Sequence, residues 1–421
     1  MLLAISLFLM LITFIILGIP IAFSLGLSSL LASLMADVSP LLIIQRVFAT
    51  FETFPFQAIF LFTLMGSVLA RTGIAEIIIN FIESLMGHIH GGLGIITIWS
   101  SACFGALTGS SPGTVAAIGS IMIPQMTKRG YPLAFAAALA AVSGMLGQLI
   151  PPSICAITFG IVMNVSIGKL FIAMIGPGLA LAFVLSVTCY VISKKHGYKG
   201  HAQKYSGLEK WNLLLKSSPG VILPIAVIGG IYGGIVTPTE GGALGAVVAI
   251  TLATTVYRKE SSVLKEIRTS FIEASITSAT ILMIISFSSA FTYFFSIGQI
   301  PDRIAQTILQ SFHNPVLILI VFNLLLLFLG MFLEANAIII MLGPLISSLF
   351  IPLGVDMIFI GVMVVFNMMI GCVTPPLGVN LYVASGVGKI KFEKLSIAVL
   401  PFVFVCIGVL IVLFVALPFM V

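Results

Sequence analysis

The sequence predicts an all-α polytopic membrane protein made of two inverted repeats, with two re-entrant helical hairpins and two broken helices. Composition is the first observation: 60% of the 421 residues are hydrophobic and 8% are charged, where soluble domains carry about 25% charged residues. The second is the form of the apolar runs. They are continuous, as membrane helices require, rather than the short alternating segments of a transmembrane barrel. The third is punctuation. The uncharged stretch from Gly130 to Gly168 contains GQLIPPS at 147–153, and GCVTPPL returns at 371–377, an offset of 224 residues.

Taken in order, apolar segments fall at 2–17 and 19–36, divided by GIP at 18–20, and at 54–70, which ends on Arg71. Residues 74–90 carry Glu76, Glu83, His88 and His90 and read as an interfacial arm. Segments 93–108 and 113–127 are too short to cross a bilayer core of about 30 Å, which takes roughly 20 helical residues. They meet at LTGSSPGT and form one re-entrant hairpin, 93–127. Segments 131–149 and 153–167 meet at IPPS and form one broken span, 131–167, because neither proline has an N–H and both rings clash with the preceding turn. A span at 171–192 closes the first repeat, 1–192.

A polar loop, 193–217, separates it from the second repeat, 218–421. That repeat begins with spans at 219–236 and 239–257, joined at TPTEGG, and one at 270–297. An arm at 301–312 carries Asp302 and Arg303. The second hairpin is 315–350, from segments 315–333 and 337–350 meeting at LEAN. The second broken span is 355–388, from 355–373 and 377–388 meeting at TPPL, and 396–418 ends the chain. The offset of 224 lays Gly119 on Gly343, Gly130 on Gly354, Phe135 on Phe359, Met145 on Met369, Gly147 on Gly371, and Pro151 and Pro152 on Pro375 and Pro376. One further inserted residue lays KLFIA (169–173) on KLSIA (394–398).

Lys and Arg set the orientation. The loop 193–217 holds Lys194, Lys195, Lys199, Lys204, Lys210 and Lys216 against one acid, Glu209, and is placed in the cytoplasm. Lys128, Arg129, Arg258, Lys259, Lys265, Arg268, Lys389, Lys391 and Lys394 then fall inside, with Arg71 at a helix end there. Only Arg46, Lys169 and Arg303 of the 19 basic residues fall outside. Each half crosses five times, so the halves are inverted; the first hairpin enters from the cytoplasm and the second from outside. The basic excess flanks membrane spans, which argues for topology and against nucleic acid. No Lys or Arg precedes Arg46, so no signal peptide is expected. Cys103, Cys155, Cys189, Cys372 and Cys406 are scattered in apolar runs and read as packing residues without disulfides.

Paired broken helices in inverted repeats are the pattern of secondary transporters. Broken backbone survives at membrane depth only where protein or a wet cavity covers it. A break frees carbonyls for a small cation and aims a half-helix N-terminus, which attracts anions. In SSPGT, Ser111 is expected to cap a helix with Pro112 at its first position, while Gly109 and Gly113 allow a tight turn. In VTPPLGVN, Thr374 is expected to cap, Pro375 and Pro376 to begin the next half-helix, and Asn380 to follow one turn later. Ser153 adds a hydroxyl at the first break; Glu334 and Asn336 add oxygens at the second hairpin tip. Glu334 is the acid deepest in apolar context, where acids are functional by default. Glu240 is explained by its turn, and Asn164 and Asn323 read as helix-packing amides. Each half thus offers one hairpin tip facing one proline break, two oxygen-rich cages of the kind Na⁺ accepts.

An enzyme is a poor reading. There is no HExxH and no metal spacing, and Asp37, Asp302 and Asp356 lie near predicted ends rather than paired at depth. A channel would need a continuous pore lining, which symmetric broken hairpins do not give.

The segments GALTGSSPGTVAAIGSIMIPQM, TPTEGGALGA and TPPLGVNLYVASG resemble the large membrane subunit of TRAP transporters, the DctM-type permease, over nearly the whole chain. The resemblance implies an elevator-type, sodium-driven importer of organic acids such as C4-dicarboxylates, sialic acid or other sugar acids. It also implies a periplasmic substrate-binding protein, a separate small four-helix membrane subunit, and the bacterial inner membrane. The family's sodium sites would map onto Gly109, Ser110, Ser111, Gly147, Gln148, Ile150 and Pro151 of the 147–152 stretch. In the second half they would map onto Glu334, Ala335, Asn336, Thr374, Pro375 and Gly378. No cofactor beyond Na⁺ is expected. The substrate carboxylate would be held by the half-helix N-termini at Thr114, Ser153 and Gly378, with Asn380 close by. No arginine sits at a predicted break, and Arg71 is the one that would have to move to reach. The alternative is a stand-alone sodium- or proton-coupled dicarboxylate or citrate carrier that needs no binding protein.

Overall fold

The computed structural model describes residues 2–51, 56–71, 73–86, 89–198, 206–256, 263–297, 300–311 and 314–416. His88, Lys199, Lys204, Arg258 and Lys259, named above, lie outside them. The described residues form helices and connecting turns, with no strand among them.

Helices α1 (Leu2–Ile16) and α2 (Ile21–Met35) are separate and pack side by side. The break falls at the expected GIP, with Gly18 at φ +80° and Pro20 as the cap of α2. Helix α3 (Leu41–Phe51) was not foreseen. At 11 residues, with Gln45 and Arg46 in its middle, it is too short and too polar to register as a span. It packs on α14 (Val263–Ile297), which starts before the predicted 270. A hydropathy reading discards that first part because it holds Lys265, Glu266 and Arg268. Helix α4 (Phe56–Arg71) precedes the arm α5 (Ile74–Met86), whose Ile74, Ile78, Ile79 and Ile82 are buried along one face.

The first hairpin is α6 (Gly92–Thr108) and α7 (Ser111–Lys128). The first broken span is α8 (Leu133–Gly144), the single turn α9 (Leu146–Leu149) and α10 (Ile154–Val162), bent by 43° at the break. Helix α11 (Ile167–His196) follows and runs on into the predicted loop. The loop's other end is helical too. Helix α12 (Gly207–Tyr232) starts from a capping box in which Ser206 and Glu209 satisfy each other's backbone N–H groups. Helix α13 (Pro238–Thr255) starts from a second box, Thr237 and Glu240, which bears out the turn reading of Glu240.

The remaining elements repeat the first set. The arm is α15 (Ile300–Ser311), the hairpin α16 (Pro315–Gly330) and α17 (Ala335–Phe350), and the broken span α18 (Met357–Gly371) and α19 (Val379–Gly388). Helix α20 (Phe392–Ile411) ends in a π turn, Val412–Ala416.

The broken spans lie at the centre. Residues 136–149 and 360–374 are buried without exception, as expected of helices that are apolar all round. The lipid-facing character lies outside, on exposed Phe183 of α11, Val247 of α13 and Phe404 of α20. The two halves also interlock. Helix α10 packs on α17 of the other repeat, and α19 packs on α7.

Candidate functional site: two hairpin tips against two broken helices

Glycine allows each tip to reach its break. A Cβ built on Gly105 of α6 would lie 2.3 Å from the Gly147 Cα in the first break. In the second half, a Cβ on Gly371 would lie 2.7 Å from the Gly330 Cα. Backbone touches backbone at equivalent places in both repeats, which no larger residue permits.

In the first tip the helix cap is Ser110, not Ser111. The Ser110 hydroxyl accepts from the Gly113 N–H at 3.2 Å, and Pro112 sits one position inside the first turn. Gly109 makes the turn with φ +60° and presses on the Pro152 carbonyl, 2.8 Å from where its Cβ would be. Thr114 lies on the first turn of α7; its Oγ1 donates to the Ser110 carbonyl at 2.8 Å and sits 3.2 Å from the Thr108 hydroxyl. A Cβ on Gly147 would fall 2.4 Å from Thr114 Oγ1 and 2.7 Å from the Ser110 carbonyl. Neutral oxygens of Thr114 and Ser110 thus close directly on the Gly147 backbone. The i→i−4 donors to the Gly147 and Gln148 carbonyls would be Pro151 and Pro152, which have no N–H, so both carbonyls are free of the helical ladder. Ser153, expected only to add a hydroxyl at the break, caps α10, accepting from the Ala156 N–H at 3.3 Å.

The second junction differs in detail. Glu334 caps α17 through its carboxylate, which accepts from the Ala337 N–H (3.1 Å) and from Asn336 Nδ2 (2.7 Å). Ala335 is the first residue of α17. Thr374 does not cap: its hydroxyl turns back and donates to the Ile370 carbonyl at 2.6 Å. Nor do Pro375 and Pro376 begin the next half-helix; they lie in the turn, and α19 starts only after Gly378, at φ +49°. Pro151 and Pro152 likewise lie before the cap Ser153, so in both halves the proline pair fills the break rather than the helix, and in the second Gly378 makes the final turn. The Gly378 N–H donates to the Met331 carbonyl at 3.4 Å, joining break to tip. The Pro151–Pro152 and Pro375–Pro376 bonds are both cis. Pro151, Pro152 and Ser153 are buried, whereas Pro376 and Leu377 are exposed.

At the junctions, two side chains join the repeats crosswise through three hydrogen bonds. Asn380 of α19 is fully buried; its Nδ2 donates to Ser111 Oγ in the first tip (2.7 Å) and to the Ala141 carbonyl of α8 (3.1 Å). Thr158 of α10 donates to Asn336 Oδ1 in the second tip at 2.8 Å. Ser111 therefore bonds across the repeat instead of capping. Asn380 Oδ1 is buried without a protein partner, a neutral acceptor left over in the wall between tip and break. Thr158 and Thr108 were missed from sequence; Thr158 is the only hydroxyl in ICAITFGIV, which is the one signal that could have pointed to it.

Other expectations divide. Asn323 does pack helices: Asn367 Nδ2 donates to its carbonyl (3.0 Å) and its Oδ1 (2.7 Å) across α16 and α18. Asn164 does not. It is exposed at φ +52° just past α10, where a left-handed residue stops a helix. Arg71 is held by Glu266 (3.1 Å) and by Glu273, both on α14, and Ser67 donates to Glu273 as well (2.8 Å). It is committed there and does not reach a break. No group of three His, Cys, Asp or Glu among the described residues is placed to hold a metal. The junctions offer a different donor set, hard carbonyl and hydroxyl oxygens with one carboxylate, suited to an alkali cation rather than to zinc or iron.

The sequence model of the family described as the tripartite ATP-independent periplasmic transporter, DctM component, matches residues 8–419. The chain is 37% identical over 400 residues to the isethionate TRAP transporter permease protein DctMQ of Oleidesulfovibrio alaskensis, covering 95% of this chain and 63% of that longer protein. It is 35% identical to the C4-dicarboxylate TRAP transporter large permease protein DctM of Rhodobacter capsulatus, covering 97% and 96% of the two chains. It is also 35% identical to the sialic acid TRAP transporter large permease protein SiaM of Vibrio cholerae, covering 91% and 90%. In fold it is similar to the YdaH transporter of Alcanivorax borkumensis, with a TM-score of 0.65 at 14% identity over 89% of this chain and 88% of the other.

Proposed function

This chain belongs to the DctM component family of the tripartite ATP-independent periplasmic transporters, and from that premise we propose that it is the large permease subunit of a sodium-coupled importer of small organic acids. The observation that carries the sodium part is the paired tip–break junction. Each has glycine-tight backbone contact, neutral oxygens and a freed half-helix end, and the two are tied to each other. Na⁺ would sit among the oxygens around Gly109, Ser110, Ser111 and 147–151 in one half. In the other it would sit among those of Glu334, Ala335, Asn336 and 374–378. Bound sodium and the half-helix ends at Ser153 and Gly378 would then favour a substrate anion beside Thr114 and Asn380.

Isethionate, C4-dicarboxylates and sialic acid, named for the relatives, share one chemistry: a carboxylate or sulfonate on a small polar body. The donors at the junctions suit that class. The reading includes a bacterial inner-membrane location, a small membrane subunit and a periplasmic substrate-binding protein as partners, and elevator-like movement of the two hairpins with the broken spans. It includes no catalysis of a chemical step.

The test is thermal unfolding of the protein purified with its small subunit, in NaCl against KCl at equal ionic strength. A ligand of the folded state stabilises by RT ln(1 + [L]/Kd), about 1.4 kcal/mol at ten times Kd. A sodium-specific rise in Tm that shrinks in Ser110→Ala and Glu334→Gln supports the reading; identical curves in the two salts count against sodium coupling. Uptake into proteoliposomes with and without the binding protein separates this reading from a stand-alone carrier.

A further inference from the structure

A second candidate site lies away from the junctions. A cavity of about 470 Å³ opens between α3 and α14 on one side and α10 and α17 on the other. Its size is that of a small-molecule site. Arg46 stands on its α3 wall, Ser289 and Thr292 on α14, and Ser347 on α17. Ser289 and Thr292 are three residues apart on one helix and so share a face. The Arg46 guanidinium carbon lies 4.6 Å from the centroid of the Tyr293 ring, a cation–π contact that orients the planar fork. The floor is apolar and closed: a Cβ on Gly343 would lie 2.7 Å from Val162 Cγ1, so α17 and α10 meet there without a gap. Val162 is the last residue of α10, about 12 Å along the helix from the break at 1.5 Å per residue. No residue of either junction lines the cavity.

The donor set decides the ligand. Arg46 is always charged and carries five N–H donors, so beside the contacts it already makes in the fold it can offer two N–H groups to a carboxylate or sulfonate. The three hydroxyls add donors or acceptors for a polar body, and the apolar floor takes carbon. We propose that this cavity is a second binding site for a small organic anion, separate from the junctions and independent of sodium. On the orientation inferred from Lys and Arg it faces outward and receives the anion before it reaches the junctions. It rests on the proposed function for that placement, while the Arg46–hydroxyl geometry stands without it.

The test uses the complex with its small subunit in nanodiscs, with an environment-sensitive fluorophore on Ala49→Cys at the rim. Four of the five native cysteines are buried, which keeps background labelling low. Succinate, isethionate and N-acetylneuraminate are the probes, with neutral glycerol as the control, in choline buffer and in sodium buffer. The expected result is a saturable change with at least one anion in both buffers, weakened at least tenfold in Arg46→Gln and partly restored in Arg46→Lys. The sodium-specific rise in Tm stays as in the parent. A change that needs sodium, that is the same in Arg46→Gln, or that is absent for all three anions overturns the site. If Arg46→Gln also loses the sodium effect, Thr292→Phe, which fills the cavity and removes no charge, decides: an unchanged signal there overturns it. A parent without any sodium effect but with the Arg46-dependent change sinks the proposed coupling and leaves this site standing.

Discussion

At the scale of single residues, the junctions are set by which side chains are absent. Gly147 faces Thr114 Oγ1 and the Ser110 carbonyl at distances a methyl group cannot share, so Gly147→Ala is expected to lower stability by about 1–3 kcal/mol through overpacking. Gly176→Ala on α11, where nothing lies within 4 Å, is expected to be neutral or to raise it by up to about 1 kcal/mol through helix propensity. Thermal unfolding of the two variants side by side checks both. Asn380 is the residue-scale bond between repeats. Asn380→Ala leaves Ser111 and the Ala141 carbonyl without their donor, a loss of roughly 1–3 kcal/mol. Combined with Ser111→Ala, the loss is expected to fall short of the sum by about 0.5–3 kcal/mol, because the two share one hydrogen bond. Additive losses in that double-mutant cycle would show that the bond carries no coupling. Sequence alone pointed to Asn380 but not to its role. Its partners lie 269 and 239 positions away, and no local pattern encodes them.

At the scale of elements, caps decide where helices start, and two of them were legible one residue out or not at all. Ser110 caps α7 because its extended backbone, φ −127°, aims the hydroxyl at the Gly113 N–H; Ser111 is already helical. From sequence the two serines are equivalent. The capping box of α12 gives a pH prediction. The Ser206 N–H and, next, its hydroxyl hold the Glu209 carboxylate below the usual carboxylate range. A folded pKa lowered in this way supplies stability that is complete above the ordinary carboxylate pKa and is lost as pH falls through the lowered value. Hydrogen exchange at 207–210 is expected to speed up on acidification across that window in the parent, beyond the change in intrinsic rate. In Glu209→Gln the excess should vanish, and an equal excess in both would remove the box as its cause. The helix α3 and the charged start of α14 were illegible for a shared reason. Both are amphipathic or charged stretches whose stability comes from packing on another helix rather than from apolar length.

At the scale of the whole molecule, the repeat predicts orientation. With Lys128 and Lys389 inside and Lys169 outside, an impermeant thiol reagent added to intact cells is expected to label Lys169→Cys and to spare Lys128→Cys and Lys389→Cys until the cells are opened. Labelling of Lys128→Cys from outside would refute the inverted arrangement. The cross-packing of α10 on α17 and of α19 on α7 makes the two halves one body at the junctions. Thr158→Val, which keeps the shape and drops the hydroxyl, is expected to lower Tm in both salts and to reduce the sodium-specific rise. The sodium effect should fall because Asn336 then loses the bond that positions it beside Glu334.

Class, repeat, hairpins, breaks and family were determined by the sequence itself, because each rests on properties the chain carries locally. Apolar length sets spans, two adjacent prolines without N–H groups break a helix where single prolines such as Pro124 and Pro177 stay inside one, and glycine permits tight turns. Tertiary structure alone decided which serine caps, that Thr374 turns away from the second break, and that Arg71 is committed to Glu266 and Glu273. It also placed Asn380 and Thr158 across the repeat boundary and gathered Arg46 with hydroxyls from two other helices around one cavity. These are contacts between residues far apart in the chain, and only the packed fold brings their atoms within hydrogen-bonding range.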